Sequence, residues 1–281
     1  MTALNLSATV MPVAIITGAA SGLGADLARH LQATHQLVLI DRDGAGLAAF
    51  ASPAVGPAAH CYTCDLADAA AIDQLLAQLR ARYPQIAVLI NNAGITQRSL
   101  SYQTQSAVME QVMAVDYFAP VRLTQGLTEP LQAGAGQVVV IGSMAAWMPV
   151  LGRAGYCAAK AALAQYFETY RAEVAGLGIQ VLQVYPSFLA TRIEQNALGA
   201  DGQAARHARS TVGQTRSSDW MAQRIIKAMQ RNQQRLFADN FSYVASLLYR
   251  LAPRLYLRLM ARRFASELAQ GKGHTSHNAP E

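Results

Sequence analysis

Six short apolar runs are spaced along this chain, and longer stretches of helical period fall between them. The runs lie at Val13–Thr17, 37–41, 59–64, 87–91, 137–142 and Gln180–Tyr185. Between them, segments 23–33, 69–82, 106–131 and 156–175 read as helices, most clearly at Ile72, Leu75, Leu76 and Leu79. Strands that are apolar throughout and separated by helices belong to a parallel sheet covered on both faces. The expected fold is therefore α/β: a doubly wound parallel sheet in a single domain. Strand after strand ends in a polar or glycine-rich segment. In such a sheet ligands bind outside the carboxyl ends of the strands, so the motifs that carry chemistry should converge there.

Composition narrows the function class. The chain has 281 residues, of which 52% are hydrophobic and 14% charged, and this excludes a disordered chain or a nucleic-acid coat. The net charge of +6 is unevenly placed. Residues 1–220 hold 13 basic and 14 acidic side chains, whereas 221–281 hold 10 basic and 3 acidic. The positive charge thus belongs to the C-terminal part. Three cysteines cannot build a disulfide framework, which fits a reducing compartment and an expected cytoplasmic location. The first twenty residues carry no cationic leader, so no cleaved signal peptide is expected. No run of 18 apolar residues is present, so no transmembrane helix is expected either.

The most informative segment is TGAASGLG, residues 17–24, between the first strand and the first helix. Gly18, Gly22 and Gly24, with Ser21 and Leu23 between them, would let the backbone turn tightly and approach a pyrophosphate received by the helix N-terminus. Asp41 closes the second strand, where its carboxylate can accept from a ribose hydroxyl pair and would repel a 2′-phosphate. Arg42 beside it could hold that phosphate instead. With no basic residue in the glycine loop, NAD is favoured and NADP remains the alternative. Tyr156 and Lys160, in YCAAK, are four residues apart and share a helix face. A phenol acting as a base near neutrality needs its pKa lowered by about 3 units, roughly 4 kcal/mol, and nearby cations are the sort of charges that can supply it. Ser143 follows the fifth strand, where its hydroxyl could bond a substrate oxygen or merely cap the strand end.

Taken together, these motifs resemble the classical short-chain dehydrogenase/reductase family. The resemblance spans roughly 13–191 and rests on TGAASGLG, Asp65-Leu66, NNAG at 91–94, Ser143, YCAAK and PSFLAT at 186–191. It implies a Rossmann fold, a nicotinamide dinucleotide, a small-molecule alcohol or ketone substrate, and a homodimer or homotetramer. By the same resemblance Tyr156 is the acid/base, Ser143 polarises the reacting oxygen, and Lys160 binds the nicotinamide ribose and lowers the tyrosine pKa. Asp65, with Leu66, contacts adenine; Asn91, Ala93 and Gly94 line the adenosine side; Pro186 and Thr191 belong to the nicotinamide end, with Thr191 on the carboxamide. Two positions depart from the family pattern. Asp116 stands where an asparagine usually bends the mid-chain helix and holds a relay water, and Ser187 replaces a glycine. An ionised Asp accepts but cannot donate, so Asp116 is expected to alter the relay while activity survives.

Other features are weaker. Cys61 and Cys64 lie on a strand, three apart and on opposite faces, with no second pair to complete a zinc site; the six histidines show no ligand spacing, and no metal is expected. Met144, Trp147, Met148 and Phe188 flank the predicted chemistry and could line an apolar pocket or simply be core. The expected organisation is an N-terminal arm over 1–11, a catalytic domain over 12–240 with a loop-like substrate lid at 191–220, a basic amphipathic helix over 241–270, and a disordered tail over 271–281. In that helix Arg250, Arg254, Arg258 and Arg262 recur every fourth residue between Leu247, Leu251, Leu255 and Leu259. Such a segment can pack on the domain or on a second subunit, or dock peripherally on an anionic membrane through 244–263. Nucleic acid is not expected, since no recognition motif accompanies the charge. The expected activity is interconversion of a lipophilic alcohol and its ketone or aldehyde. A 3-oxoacyl thioester reductase using NADPH and a non-catalytic dinucleotide-binding redox sensor are the alternatives.

Overall fold

A computed structural model describes residues 11–51, 57–186, 189, 193, 196–205, 215–265 and 269, with the backbone alone at 242. The six apolar runs all form strands, and a seventh forms where the sequence has a strand-like segment at Arg235–Ala238. Strands β1 (Val13–Thr17), β2 (Gln36–Asp41), β3 (His60–Thr63), β4 (Val88–Asn91), β5 (Gln137–Ile141), β6 (Gln180–Tyr185) and β7 (Arg235–Phe237) form one sheet in the order β3-β2-β1-β4-β5-β6-β7. Every pairing is parallel, in continuous register from Val13 against Gln36 at one junction to Tyr185 against Phe237 at the other end.

Strand alternation divides the core in two. Ala14 and Ile16 of β1, Leu37 and Leu39 of β2 and Ile90 of β4 point to one face. There they meet α1 (Gly22–Leu31) and α8 (Ser218–Gln230), through Leu27, Ala28, Ile225 and Met229. Ile15, Val38, Ile40 and Leu89 point the other way, onto α3 (Ala69–Arg82), α5 (Ala119–Gly126) and α7 (Ala154–Glu173). Asp68 starts α3 by accepting from the N–H groups of Ala70 and Ala71, the bond an N-cap carboxylate is suited to make.

Two elements differ from their sequence reading, and a third takes one of the two forms expected of it, since Pro253 would either sit early in the basic helix or split it. A short helix, α2 (Gly44–Ala51), was hidden by a Gly/Ala-rich segment lacking helical period. The helix expected over 106–131 divides into α4 (Ser106–Met113), a π-helical turn (Ala114–Phe118), α5 and α6 (Thr128–Ala133). The basic C-terminal segment is two helices, α9 (Asn240–Leu251) and α10 (Pro253–Arg263). Pro253 opens α10, and Ala252 before it leaves the helical conformation (φ −138°, ψ 64°) and breaks the run, as the residue preceding a proline tends to do. The expected arm over 1–11 except Met11, residues 191, 192, 194, 195 and 206–214 of the lid over 191–220, and the tail over 271–281 lie outside the described residues.

Candidate active site

Because β1 lies between β2 and β4, the chain crosses the sheet in opposite directions on either side of it. The resulting crevice at the carboxyl ends is the switch point where such sheets bind ligands. A cleft of about 440 Å³ occupies it. One end is lined by Gly18, Ser21, Gly22, Asp41, Asp65 and Leu66, the other by Ser143, Tyr156, Lys160 and Pro186. Residues scattered over 168 positions of sequence are thereby brought to one cavity, as the motif spacing implied.

The glycine loop is built by close approach. Gly18 adopts φ +65°, and a Cβ on Gly24 would lie 2.1 Å from Gly18 O. That carbonyl and Thr17 O accept from Asn92 Nδ2 at 3.1 and 2.9 Å, tying the end of β4 to the end of β1. Thr17 Oγ1 accepts from the N–H groups of Asn92 and Ala93, both at 3.0 Å. Ser21 makes no side-chain cap bond, and no acidic side chain stands in the first turn of α1. The helix thus presents amide donors and its positive end beside the cleft, an arrangement that fits a pyrophosphate. Asp41 steadies the same loop: Oδ2 accepts from Ala20 N at 2.9 Å and Oδ1 from Asp43 N at 3.0 Å. Each oxygen retains acceptor capacity for a ribose hydroxyl.

At the other end, Ser143 follows β5, and its Oγ accepts from Ala145 N at 3.1 Å. Tyr156 and Lys160 sit one turn apart in α7, with the ammonium 5.7 Å from the phenol ring centroid. The backbone of Tyr156 is fixed by Tyr156 N donating at 3.0 Å to Oε1 of the fully buried Gln97. Lys160 Nζ donates to Ile141 O at 3.2 Å and stands 3.1 Å from Asp116 Oδ2. Asp116 has no solvent exposure, and its Oδ1 accepts from Ile95 N at 2.7 Å. Burial pushes its carboxyl above the ordinary carboxylate range, and Lys160 and the Ile95 amide oppose that rise without cancelling it. The π-helical turn places this carboxylate beneath Lys160.

Not every expected site residue faces the cleft. Asn91 does not line it: the last residue of β4 is buried, and its Nδ2 donates to Thr124 Oγ1 at 2.9 Å. Its neighbour Asn92 lines the cleft instead, with Ala93 and Gly94. Trp147 also points away. The 3₁₀ turn after Ser143 directs its ring against Tyr185 and Phe237, at 5.3 Å from each, and under Arg250. Met144 and Met148 do line the cleft, joined by Val150 and Arg153, which the sequence reading missed. Phe188, Ser187 and Thr191 lie outside the described residues. Cys61 on β3 is exposed, and Cys64, expected on the same strand, lies one residue past its end and is buried.

Fold and cleft define a dinucleotide-binding α/β protein with a serine, a tyrosine and a lysine at the far end of its nucleotide groove. Residues 12–201 match the short chain dehydrogenase family model, and the chain belongs to that family. Dehydrogenase/reductase SDR family member 7B of Bos taurus is 36% identical over 266 residues, covering 91% of this chain and 82% of that one. Among solved structures, a short-chain dehydrogenase from Streptomyces avermitilis superimposes with a TM-score of 0.73 at 27% identity, covering 93% of this chain and 98% of that one. A short-chain dehydrogenase from Sphingobium yanoikuyae in complex with NADPH shares the fold, with a TM-score of 0.70 at 24% identity and coverage of 96% and 98%.

Proposed function

We propose that this chain is an NAD(P)-dependent oxidoreductase, NAD-preferring, that interconverts a lipophilic alcohol and its ketone or aldehyde. The observation that carries the reading is that Ser143, Tyr156 and Lys160 line the same cleft as the uncapped glycine loop. A nicotinamide dinucleotide, when bound, supplies the hydride acceptor or donor that no side chain can provide. Gly18, Ser21 and Gly22 would hold its pyrophosphate, Asp41 an adenosine ribose and Lys160 the other ribose. In the alcohol-oxidising direction Tyr156 Oη takes the hydroxyl proton; in the reverse direction it returns it to the carbonyl oxygen. Ser143 Oγ, at the end of β5, donates to the same oxygen and fixes its position. Lys160 keeps a cation beside the phenol and favours its ionised form.

Cofactor preference follows from the adenosine end. Asp41 and Asp43 both line the cleft there, against Arg42 alone, and a 2′-phosphate would meet more negative than positive charge. A lipophilic substrate is supported by Met144, Met148, Val150, Leu189 and Ile193, which line the cleft. The test is a panel of aliphatic, aromatic and polycyclic alcohols and ketones assayed at 340 nm with NAD(H) and NADP(H). Turnover of apolar members with NAD(H) is expected. Turnover confined to 3-oxoacyl thioesters with NADPH would replace this reading with thioester reduction. Tight nucleotide binding with no turnover of any member would make the chain a redox sensor.

A further inference from the structure

We propose that the helix pair α9–α10 docks this protein on an anionic lipid bilayer, lying in the plane of the interface. A helix packed on a soluble domain turns its apolar stripe inward. In α9 the reverse holds. Phe241, Val244, Leu247 and Leu251 fall within an arc of about 120° at helical spacing, and they are 58, 60, 37 and 85% exposed. Opposite that arc stand Ser246, fully buried, and Arg250, which is exposed but holds its guanidinium 4.7 Å over the Trp147 ring. The stripe read from the sequence is real, but it faces out.

The inward residues here are Tyr256 in α10 and Phe264 just past its end, 4 and 1% exposed, and Tyr256 Oη donates to Pro149 O at 3.0 Å. This anchor fixes the pair on the domain and leaves Leu255 and Leu259, 49 and 46% exposed, on the outer side beside Arg258 and Arg262. Between Asn240 and Arg263 there are five arginines and no acidic residue. The surface therefore combines outward leucines with guanidinium groups, the composition of a helix that sinks its apolar side below a headgroup layer and pairs its cations with lipid phosphates.

A second copy of the chain is the competing occupant, and charge argues against it. A two-fold interface on this face would join two copies of one basic surface, with Arg254, Arg258 and Arg262 on each side and no carboxylate between Asn240 and Arg263 to offset them. A bilayer carrying negative headgroups has no such conflict.

The experiment is flotation of the full-length protein with phosphatidylcholine vesicles, with and without about one-third phosphatidylserine, alongside sedimentation analysis of its mass in solution. Two variants accompany it: Phe241→Glu/Leu251→Glu on the apolar arc, and Arg254→Gln/Arg258→Gln/Arg262→Gln on the basic stripe. All five side chains are exposed, so neither set removes core. Binding at least about tenfold stronger to the anionic vesicles is expected, reduced about tenfold or more by each variant, with mass in solution unchanged. Equal binding to both vesicle types, or variants that float as the parent does, would overturn the proposal. A Phe241→Glu/Leu251→Glu protein of half the parent's mass would show the face to be a subunit interface instead.

Discussion

Replacing Asp116 by alanine tests the least expected contact in the cleft. The carboxylate is fully buried, stands 3.1 Å from Lys160 Nζ and accepts from Ile95 N. Removing one partner of a buried ion pair costs about 3–5 kcal/mol, because the other charge is left in a poorly solvated place. Here the cost is reduced, since Lys160 still donates to Ile141 O and its side chain borders an open cleft that admits water. Against that, the Ile95 amide loses its acceptor. A net loss of about 2–4 kcal/mol results. An unfolding entropy of about 2.1 cal/mol/K per residue makes that a fall in Tm of about 3–7 °C for a chain of this length. Scanning calorimetry of the parent and the variant at pH 7 measures it directly. A variant melting within about 1 °C of the parent would show that the pair contributes nothing and that water already solvates Lys160.

Other consequences follow from the same geometry. Asp116 has its carboxyl pKa raised by burial, so the folded chain binds a proton there more readily than the unfolded one. The proton-linked part of its stability, separate from its bonds to Lys160 and Ile95, is fully present below the unfolded value of about 3.9 and is lost as pH rises through the folded value. Urea titrations from pH 4 to 8 should therefore show the parent losing stability relative to Asp116→Asn as pH rises, and the opposite slope would contradict the raised pKa. Asp116→Asn should also leave turnover within a hundredfold of the parent, because either side chain can accept a bond from a relay water; a hundredfold gain in kcat would show that the carboxylate suppresses the relay. Gly24→Ala would set a methyl 2.1 Å from Gly18 O and 2.6 Å from Asn92 Nδ2, so the loop must shift. Its nucleotide affinity, by fluorescence titration, should fall at least about tenfold, about 1.4 kcal/mol, and an unchanged Kd would mean the loop does not shape the site. Asp41→Ala should lower the NAD-to-NADP preference in kcat/KM by about tenfold or more, through loss of a ribose acceptor and of repulsion toward a 2′-phosphate. An unchanged ratio would move discrimination elsewhere.

The sheet was legible because a parallel strand covered on both faces must be apolar at every position, as Ala14–Ile16 and Val138–Val140 are. The site was legible for a related reason: the glycine loop, Asp41, Asp65, Asn92 and Ser143 follow strand ends that topology carries to one crevice, while Tyr156 and Lys160 showed as a pair one helical turn apart in α7. What stayed hidden depends on direction or distance. Asn91 and Asn92 are adjacent, and only the pleat decides that one turns to Thr124 and the other to the glycine loop. Trp147 sits four residues after Ser143, yet one 3₁₀ turn sends its ring to Tyr185 and Phe237. The role of Asp116 rests on Lys160 and Ile95, each more than 20 positions away, so no local pattern could show the ion pair. In α9 the stripe was visible but its direction was not. Periodicity gives a face; packing decides where it points.

The most direct measurement for the proposed chemistry compares wild type with Tyr156→Phe on the best alcohol substrate at 340 nm, with NAD(H) affinity measured in parallel. Phenylalanine keeps the ring beside Lys160 and removes only the proton-transferring oxygen. The account predicts unchanged nucleotide affinity and a loss in kcat of about 10²–10⁴-fold, the usual contribution of a positioned acid/base. Full turnover by Tyr156→Phe with bound nucleotide would contradict it.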